Sequence, residues 1–388
     1  MKKFVSALLA GVMATSLVAC SSTGSSSTSS TAAASAAASD MKIAMVTDYG
    51  DITDQSFNQN TYEASKAFAE ANNCKFTYKK PASNADQDRV ASMEEAIEEG
   101  YNVIVMPGYA FAPAIVEVAP KYPDVKFVAL DVSQYDLDTA SKTTNFTASN
   151  LYSAVYQEEL AGYMAGYAAV KLGYKKLGFL GGMAVPAVIR YGYGYVQGAD
   201  AAAKELNLTD VTMNYVYGGQ FYGDADITAR MDTWYGAGVE VVFACGGGIY
   251  TSAAEAAVKK NGKVIGVDVD QQATIDGTYG KGVTVTSAMK GLAATVNTVL
   301  TGIQNGKWDS DFGGKLATLG LVGTDPTKNY VQLAPTTVYN STFTEANYKS
   351  LVADMYNGKI KVDNSSDVNK AASFGTVVKV TDEGNIKG

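Results

Sequence analysis

Short apolar runs that stop on a carboxylate or a glycine, each followed by helical spacing, recur along this chain and leave it few folds to choose from. Lys42–Thr47 (KIAMVT) stops at Asp48, Asn102–Met106 (NVIVM) at Pro107-Gly108-Tyr109, and Lys126–Leu130 (KFVAL) at Asp131. Lys176–Leu180 (KLGFL) runs into Gly181-Gly182, Val239–Ala244 (VEVVFA) leads to Gly246-Gly247-Gly248, and Lys263–Val267 (KVIGV) stops at Asp268. Apolar runs of this kind suit strands buried on both faces, and their alternation with helices makes the sheets parallel. The expected class is α/β, in two successive sets of strands. In such sheets ligands bind beyond the carboxyl ends of the strands, where these aspartates and glycines fall.

The intervening helices are expected at Phe57–Ala71, Gln87–Glu99, Ala112–Lys121, Pro186–Leu206, Asp224–Gly236 and Thr251–Lys260. Asp54 and Ser56 precede the first of them, and both are good N-caps. Asp48 and Asp54 therefore either serve the turn and helix start or line a cleft. Thr143–Ala148 reads as a strand, and Asn150–Gly173 as one long helix in which Gly162 and Gly166 permit close backbone packing. Lys281–Thr286 reads as a strand, Ser287–Asn305 as a helix, and Glu345–Asn357 as a helix in a strand-rich tail. The YGYGYVQG stretch (Tyr191–Gly198) reads as helix packing, and no GxGxxG or GxxxxGK[ST] pattern accompanies Gly246–Gly248.

The first residues are expected to be an address rather than fold. Lys2 and Lys3 precede an apolar stretch that ends in Leu17-Val18-Ala19-Cys20, a secretory signal over 1–19. Cys20 directly after the cut resembles the bacterial lipobox and would carry a lipid. Residues 20–40, rich in Ser and Ala, read as a flexible tether. The body is thus expected at the extracytoplasmic face of a cell membrane, held through the lipid alone. The formal charge of −8 grows more negative once Lys2 and Lys3 are removed, which argues against nucleic-acid polymers. There is no histidine, so His-based triads, His zinc sites and the usual neutral-pH base are excluded. Cys74 and Cys245 either pair or remain as two buried thiols.

Several motifs then occur in one order: VTDxGxxxDxSFNQ (Val46–Gln59), Pro107-Gly108-Tyr109, Phe127–Asp131, QEELAGYMAG (Gln157–Gly166), FLGGM (Phe179–Met183), IGVDVDQ (Ile265–Gln271) and TSAMK (Thr286–Lys290). Together they resemble the basic membrane protein (BMP) lipoproteins, the family that includes the purine nucleoside receptor A group. The resemblance implies a type I periplasmic-binding-protein fold, two Rossmann-like lobes joined by a multi-strand hinge. It also implies a monomeric substrate-binding protein of an ABC importer, partnered by permease and ATPase subunits, with a nucleoside as ligand. Lobe 1 is expected from residues 41–146 and 270–308, and lobe 2 from 147–269 and 309–388.

A nucleoside asks a cleft for acceptors toward its ribose diol and for aromatic faces and edge hydrogen bonds toward its base. Asp268 is the first choice for the diol, since one carboxylate accepts from both hydroxyls. Lys290 would donate to ribose oxygens. Phe57 would stack on the base, with Phe221 or Tyr222 opposite, while Asn58 and Asp131 read the base edge. Asp48 would orient its loop or bond the ligand, and Tyr109 and Gly247 complete the expected set. No catalytic residue, cofactor or metal is expected. A receptor for a sugar or another small polar solute, or a ligand-sensing surface lipoprotein, would share the fold. An enzyme such as a nucleosidase is disfavoured by the missing histidine and nucleotide-cofactor motifs.

Overall fold

The computed structural model describes residues 40–387. The expected signal and Cys20 lie outside the described residues, as does the tether except for its last residue. Thirteen strands are described: β1 (Lys42–Val46), β2 (Lys75–Lys79), β3 (Val103–Pro107), β4 (Lys126–Leu130), β5 (Leu151–Tyr156), β6 (Lys176–Gly181) and β7 (Thr212–Tyr217), followed by β8 (Val241–Cys245), β9 (Lys263–Asp268), β10 (Thr284–Lys290), β11 (Lys315–Leu319), β12 (Val331–Leu333) and β13 (Lys379–Asn385). The helices between them are α1 (Phe57–Ala71), α2 (Asp86–Glu98), α3 (Ala112–Val118), α4 (Gln134–Ser141), α5 (Glu158–Lys171) and α6 (Pro186–Glu205). They continue with α7 (Ala225–Gly236), α8 (Tyr250–Val258), α9 (Gln272–Tyr279), α10 (Leu292–Gln304) and α11 (Glu345–Tyr356).

These strands form two sheets, ordered β11-β5-β4-β3-β1-β2 and β12-β10-β9-β8-β6-β7-β13. Pairing is parallel throughout, except that β12 runs antiparallel to β10. Each sheet repeats one order: second strand, first, third, fourth, fifth. The fourth strands therefore correspond, and each ends on an aspartate in the left-handed region, Asp131 at φ 63° and Asp268 at φ 64°. Asp tolerates that region better than most residues, and strain of this kind collects at functional sites.

The lobe boundaries differ from the expected ones. The first sheet contains Leu151–Tyr156 and Lys315–Leu319, both assigned to lobe 2 from sequence, and the second contains Thr284–Lys290, assigned to lobe 1. Thr143–Ala148 forms no strand, and the strand is instead the front of the supposed long helix. Ser287–Lys290 is likewise strand, with the helix starting at Leu292. Both errors have one cause. Leu151–Tyr156 and Thr284–Lys290 are almost wholly buried, so neither shows the alternation that separates strand from helix. Helices α4 and α9 were also missed; each is only eight residues long with few buried positions.

The chain passes between lobes at Gln157, at Gly291 and between Gly320 and Tyr330. These crossings bond to one another: Gln157 N donates to Leu319 O (2.9 Å), Gly291 N to Tyr330 O (2.7 Å) and Tyr330 N to Gly320 O (2.9 Å). That is the multi-strand hinge the resemblance implied. Beneath it α5 and α6 cross at backbone contact. A Cβ on Gly162 would lie 2.1 Å from Tyr191 O, on Gly166 2.0 Å from Tyr195 O, and on Gly198 2.0 Å from Tyr163 O. Glycine is required there by lack of room. Cys245 is buried and Cys74 half-buried, and both are free thiols. Among the described residues no helix is long and apolar enough to cross a membrane.

Candidate ligand-binding cleft

The carboxyl ends of the two sheets face one another across a cavity of about 660 Å³. Asp48, Phe57, Asn58, Tyr109, Asp131, Phe221, Gly247, Asp268 and Lys290 all line it. Residues more than two hundred positions apart are brought together because both sheets place their switch point, between first and third strands, at this cleft.

From lobe 1, Asp48 follows β1 and accepts from the N–H groups of Tyr49 (2.6 Å) and Gly50 (2.8 Å). Its carboxylate thus holds the loop, and burial raises its pKa against those bonds. Asp54 caps α1, accepting from the backbone of Ser56 (2.9 Å), Asn58 (2.9 Å) and Gln59 (3.0 Å). Ser56, expected as a cap, makes no capping bond and instead donates to Asp268 of lobe 2 at 2.6 Å. Asn58 Nδ2 is held by Asp54 at 3.1 Å, and its Oδ1 is buried without a partner. Phe57 presents its ring to Lys290, whose Nζ lies 5.0 Å from the ring centre.

Lobe 2 contributes an aromatic wall. Phe221 sits between Gly182 and Gly246; a Cβ on them would come within 2.3 and 2.8 Å of its Cδ1. At Gly247, φ is +52° and a Cβ would stand 2.8 Å from Phe221 O, so this glycine is required by the Phe221 backbone. Tyr49 closes the wall from the other lobe, its ring centre 6.3 Å from that of Phe221 and its hydroxyl donating to Met183 Sδ at 3.1 Å. Beside the cavity, Gln271 Nε2 donates to Gln55 O and Thr274 Oγ1 to Gln55 Oε1, both at 3.0 Å, clasping lobe to lobe.

At the floor lies a network of buried charges. Lys290 Nζ contacts Asp131 Oδ2 at 2.7 Å and Glu158 Oε1 at 3.1 Å, and Arg190 Nε donates to Glu158 Oε2 at 2.7 Å. Burial works against the Lys290 charge, but Asp131, Glu158 and Asp268 outweigh it and hold the ammonium well above its ordinary pKa. Burial pushes Asp131 and Asp268 upward, with the Glu158 charge adding to it and Lys290 opposing it. Glu158 is held low, since Arg190 and Lys290 together overcome its burial.

Glu159 has no such help. It is 3 % exposed, its Oε2 lacks a partner, and burial beside Glu158 pushes its pKa to about 7. A carboxyl raised from 4.5 to about 7 keeps its proton in the fold while the unfolded chain loses it, so stability falls as pH rises through that window. Glu159→Gln mimics the neutral acid. It is expected to stabilise by about 3 kcal/mol near pH 8 and by nothing near pH 4, as urea unfolding at the two pH values would measure. An equal effect at both would remove the assignment.

Arg190, Glu158, Tyr49 and Met183 escaped the sequence reading. The signals existed for two of them. Glu158 interrupts the apolar Tyr152–Ala169 run, and Arg190 is the lone charge of PAVIRYGYGYV (Pro186–Val196). A charge surrounded by apolar residues on a buried element needs a partner, and these two are each other's.

Comparison with known proteins agrees with this architecture. The family described as Bmp, ABC transporter substrate-binding protein PnrA-like, matches residues 41–370. The ABC transporter nucleoside-binding protein BmpA of Lactococcus lactis is 31% identical over 247 residues, covering 60% of this chain and 65% of that protein, slightly under two thirds. A CD4+ T-cell-stimulating antigen of Listeria monocytogenes is 30% identical over 319 residues, 78% of this chain and 84% of its own. Among solved structures, an ABC transporter solute-binding protein of Aeropyrum pernix K1 superposes with a TM-score of 0.69 at 19% identity, over 86% of this chain and 96% of its own. That likeness establishes the fold, the type I periplasmic-binding-protein arrangement. The chain belongs to the Bmp family of PnrA-like ABC transporter substrate-binding proteins.

Proposed function

We propose that this protein captures a purine nucleoside between its lobes and delivers it to the permease of an ABC importer, held to the membrane by a lipid on Cys20. The observation that carries the reading is a single cavity with aromatic rings from both lobes, Phe57 and Phe221, beside the strand-end carboxylates Asp131 and Asp268. The rings and Asp131 suit a base and its edge; Asp268 suits a diol. The size agrees, since small-molecule sites occupy roughly 300–1,000 Å³. The name of the Lactococcus lactis relative, a nucleoside-binding protein, supports the ligand class.

In this reading Asp268 accepts from the ribose hydroxyls. Its Oδ2 is taken by Ser56, and Oδ1 has no partner among the described residues. Asp268→Ala is expected to weaken nucleoside binding by about 2–3 kcal/mol, the scale of hydrogen bonds to a charged group. Calorimetry with adenosine, guanosine, inosine and free ribose tests both statements. Unchanged affinity in the variant would take Asp268 out of the site, and ribose competing as well as the nucleosides would make this a sugar receptor.

A further inference from the structure

Two cations line the cavity, and they differ in what they have left to offer. Lys290 is spent on Asp131 and Glu158, with Phe57, Tyr156 and Tyr191 ringing it at 5.0, 5.3 and 5.6 Å. Arg190 is spent at Nε alone. Glu158, fully buried, holds that nitrogen at 2.7 Å, so the plane of the guanidinium is set from behind. Its two η nitrogens have no hydrogen-bond partner among the described residues and are not fully buried. They are therefore open, on a side chain that is only 16% exposed and that lines the cavity.

A guanidinium fixed at Nε presents two parallel donors, a fork that fits two adjacent acceptors. On a purine the O6 and N7 atoms of a 6-oxo base form such a pair. Adenine offers N7 beside an amino group, which would set donor against donor. We propose that Arg190 is a ligand-contacting residue that reads O6 and N7 of the base, so that the protein prefers inosine and guanosine to adenosine. This inference rests on the purine nucleoside reading.

Calorimetry on the full-length mature protein tests it. Wild type is expected to bind inosine about tenfold or more tightly than adenosine, and to lose a similar factor for 7-deazainosine, which lacks N7. Arg190→Lys retains the charge without the fork, and Arg190→Gln removes both. Each is expected to bring the ratio of inosine to adenosine affinity toward one, a change of ratio that a general structural defect would not produce. Adenosine binding as tightly as inosine to wild type would overturn the assignment and leave the nucleoside reading standing. So would 7-deazainosine binding as well as inosine, a comparison that needs no variant to fold. No binding of any nucleoside would overturn both.

Discussion

Replacing Lys290 by methionine is expected to cost about 3–5 kcal/mol of stability and to abolish nucleoside capture, the largest effect of any single substitution in the cleft. Methionine fills the volume of the side chain but leaves Asp131 and Glu158 without the ammonium that contacts them at 2.7 and 3.1 Å. Glu158 is fully buried and the Asp131 side chain is only 11% exposed, and a desolvated charge without its partner costs more than the pair itself contributes. Arg190 would still satisfy one oxygen of Glu158, so Asp131 and Asp268 bear most of the loss. Their pKa values, already raised by burial, would rise further. The native variant then holds protons that the unfolded chain releases, and its stability falls as pH rises above the ordinary aspartate range. The deficit relative to wild type should therefore be greatest above neutrality and shrink as the pH is lowered. Urea unfolding at several pH values, with calorimetry of the best wild-type nucleoside, measures both parts. A deficit independent of pH would show that packing, rather than charge, is what Lys290 supplies.

The second large effect lies away from the ligand. Gly166→Ala is expected to destabilise by about 3 kcal/mol, at the upper end for overpacking, because the added Cβ would stand 2.0 Å from Tyr195 O. Backbone cannot turn aside as a side chain can, so α5 and α6 must separate, and Gly162 and Gly198 would lose their close approach as well. Gly277→Ala serves as the contrast. Gly277 lies within α9 with nothing within 4 Å of an added Cβ, so the same change should stabilise by about 0.5–1 kcal/mol. Opposite signs for one chemical substitution, read by thermal or urea unfolding, would establish that the helix crossing sets the requirement. Equal signs would refute it.

The two-lobed fold was legible because strands buried on both faces are written as short apolar runs, and the turns after them as Asp or Gly. Where such a run joined another element without a polar break, as at Tyr156-Gln157-Glu158, strand and helix merged and the lobe boundary moved. The boundary depended on which sheet a strand joined, and pairing between β5 and β11, or β10 and β12, is a non-local choice that no local pattern records.

The residue types at the strand ends, the absent histidine and the Asp54 cap were properties of the linear chain, because turn chemistry and capping act over a few positions. That Asp48, Asp131 and Asp268 share one cavity followed from the rule that parallel sheets gather their strand ends. Tertiary structure alone decided how the charges divide their work. Lys290 became a saturated ion-pair partner and Arg190 an open fork because Glu158, brought close by the hinge, occupies one and anchors the other. Ser56 turned from a cap into a bridge between lobes for the same reason, since a short hydroxyl donates to whichever acceptor the fold sets at 2.6 Å. Distances of a few ångströms between residues some thirty to two hundred positions apart determine those roles, and sequence spacing carries no measure of them.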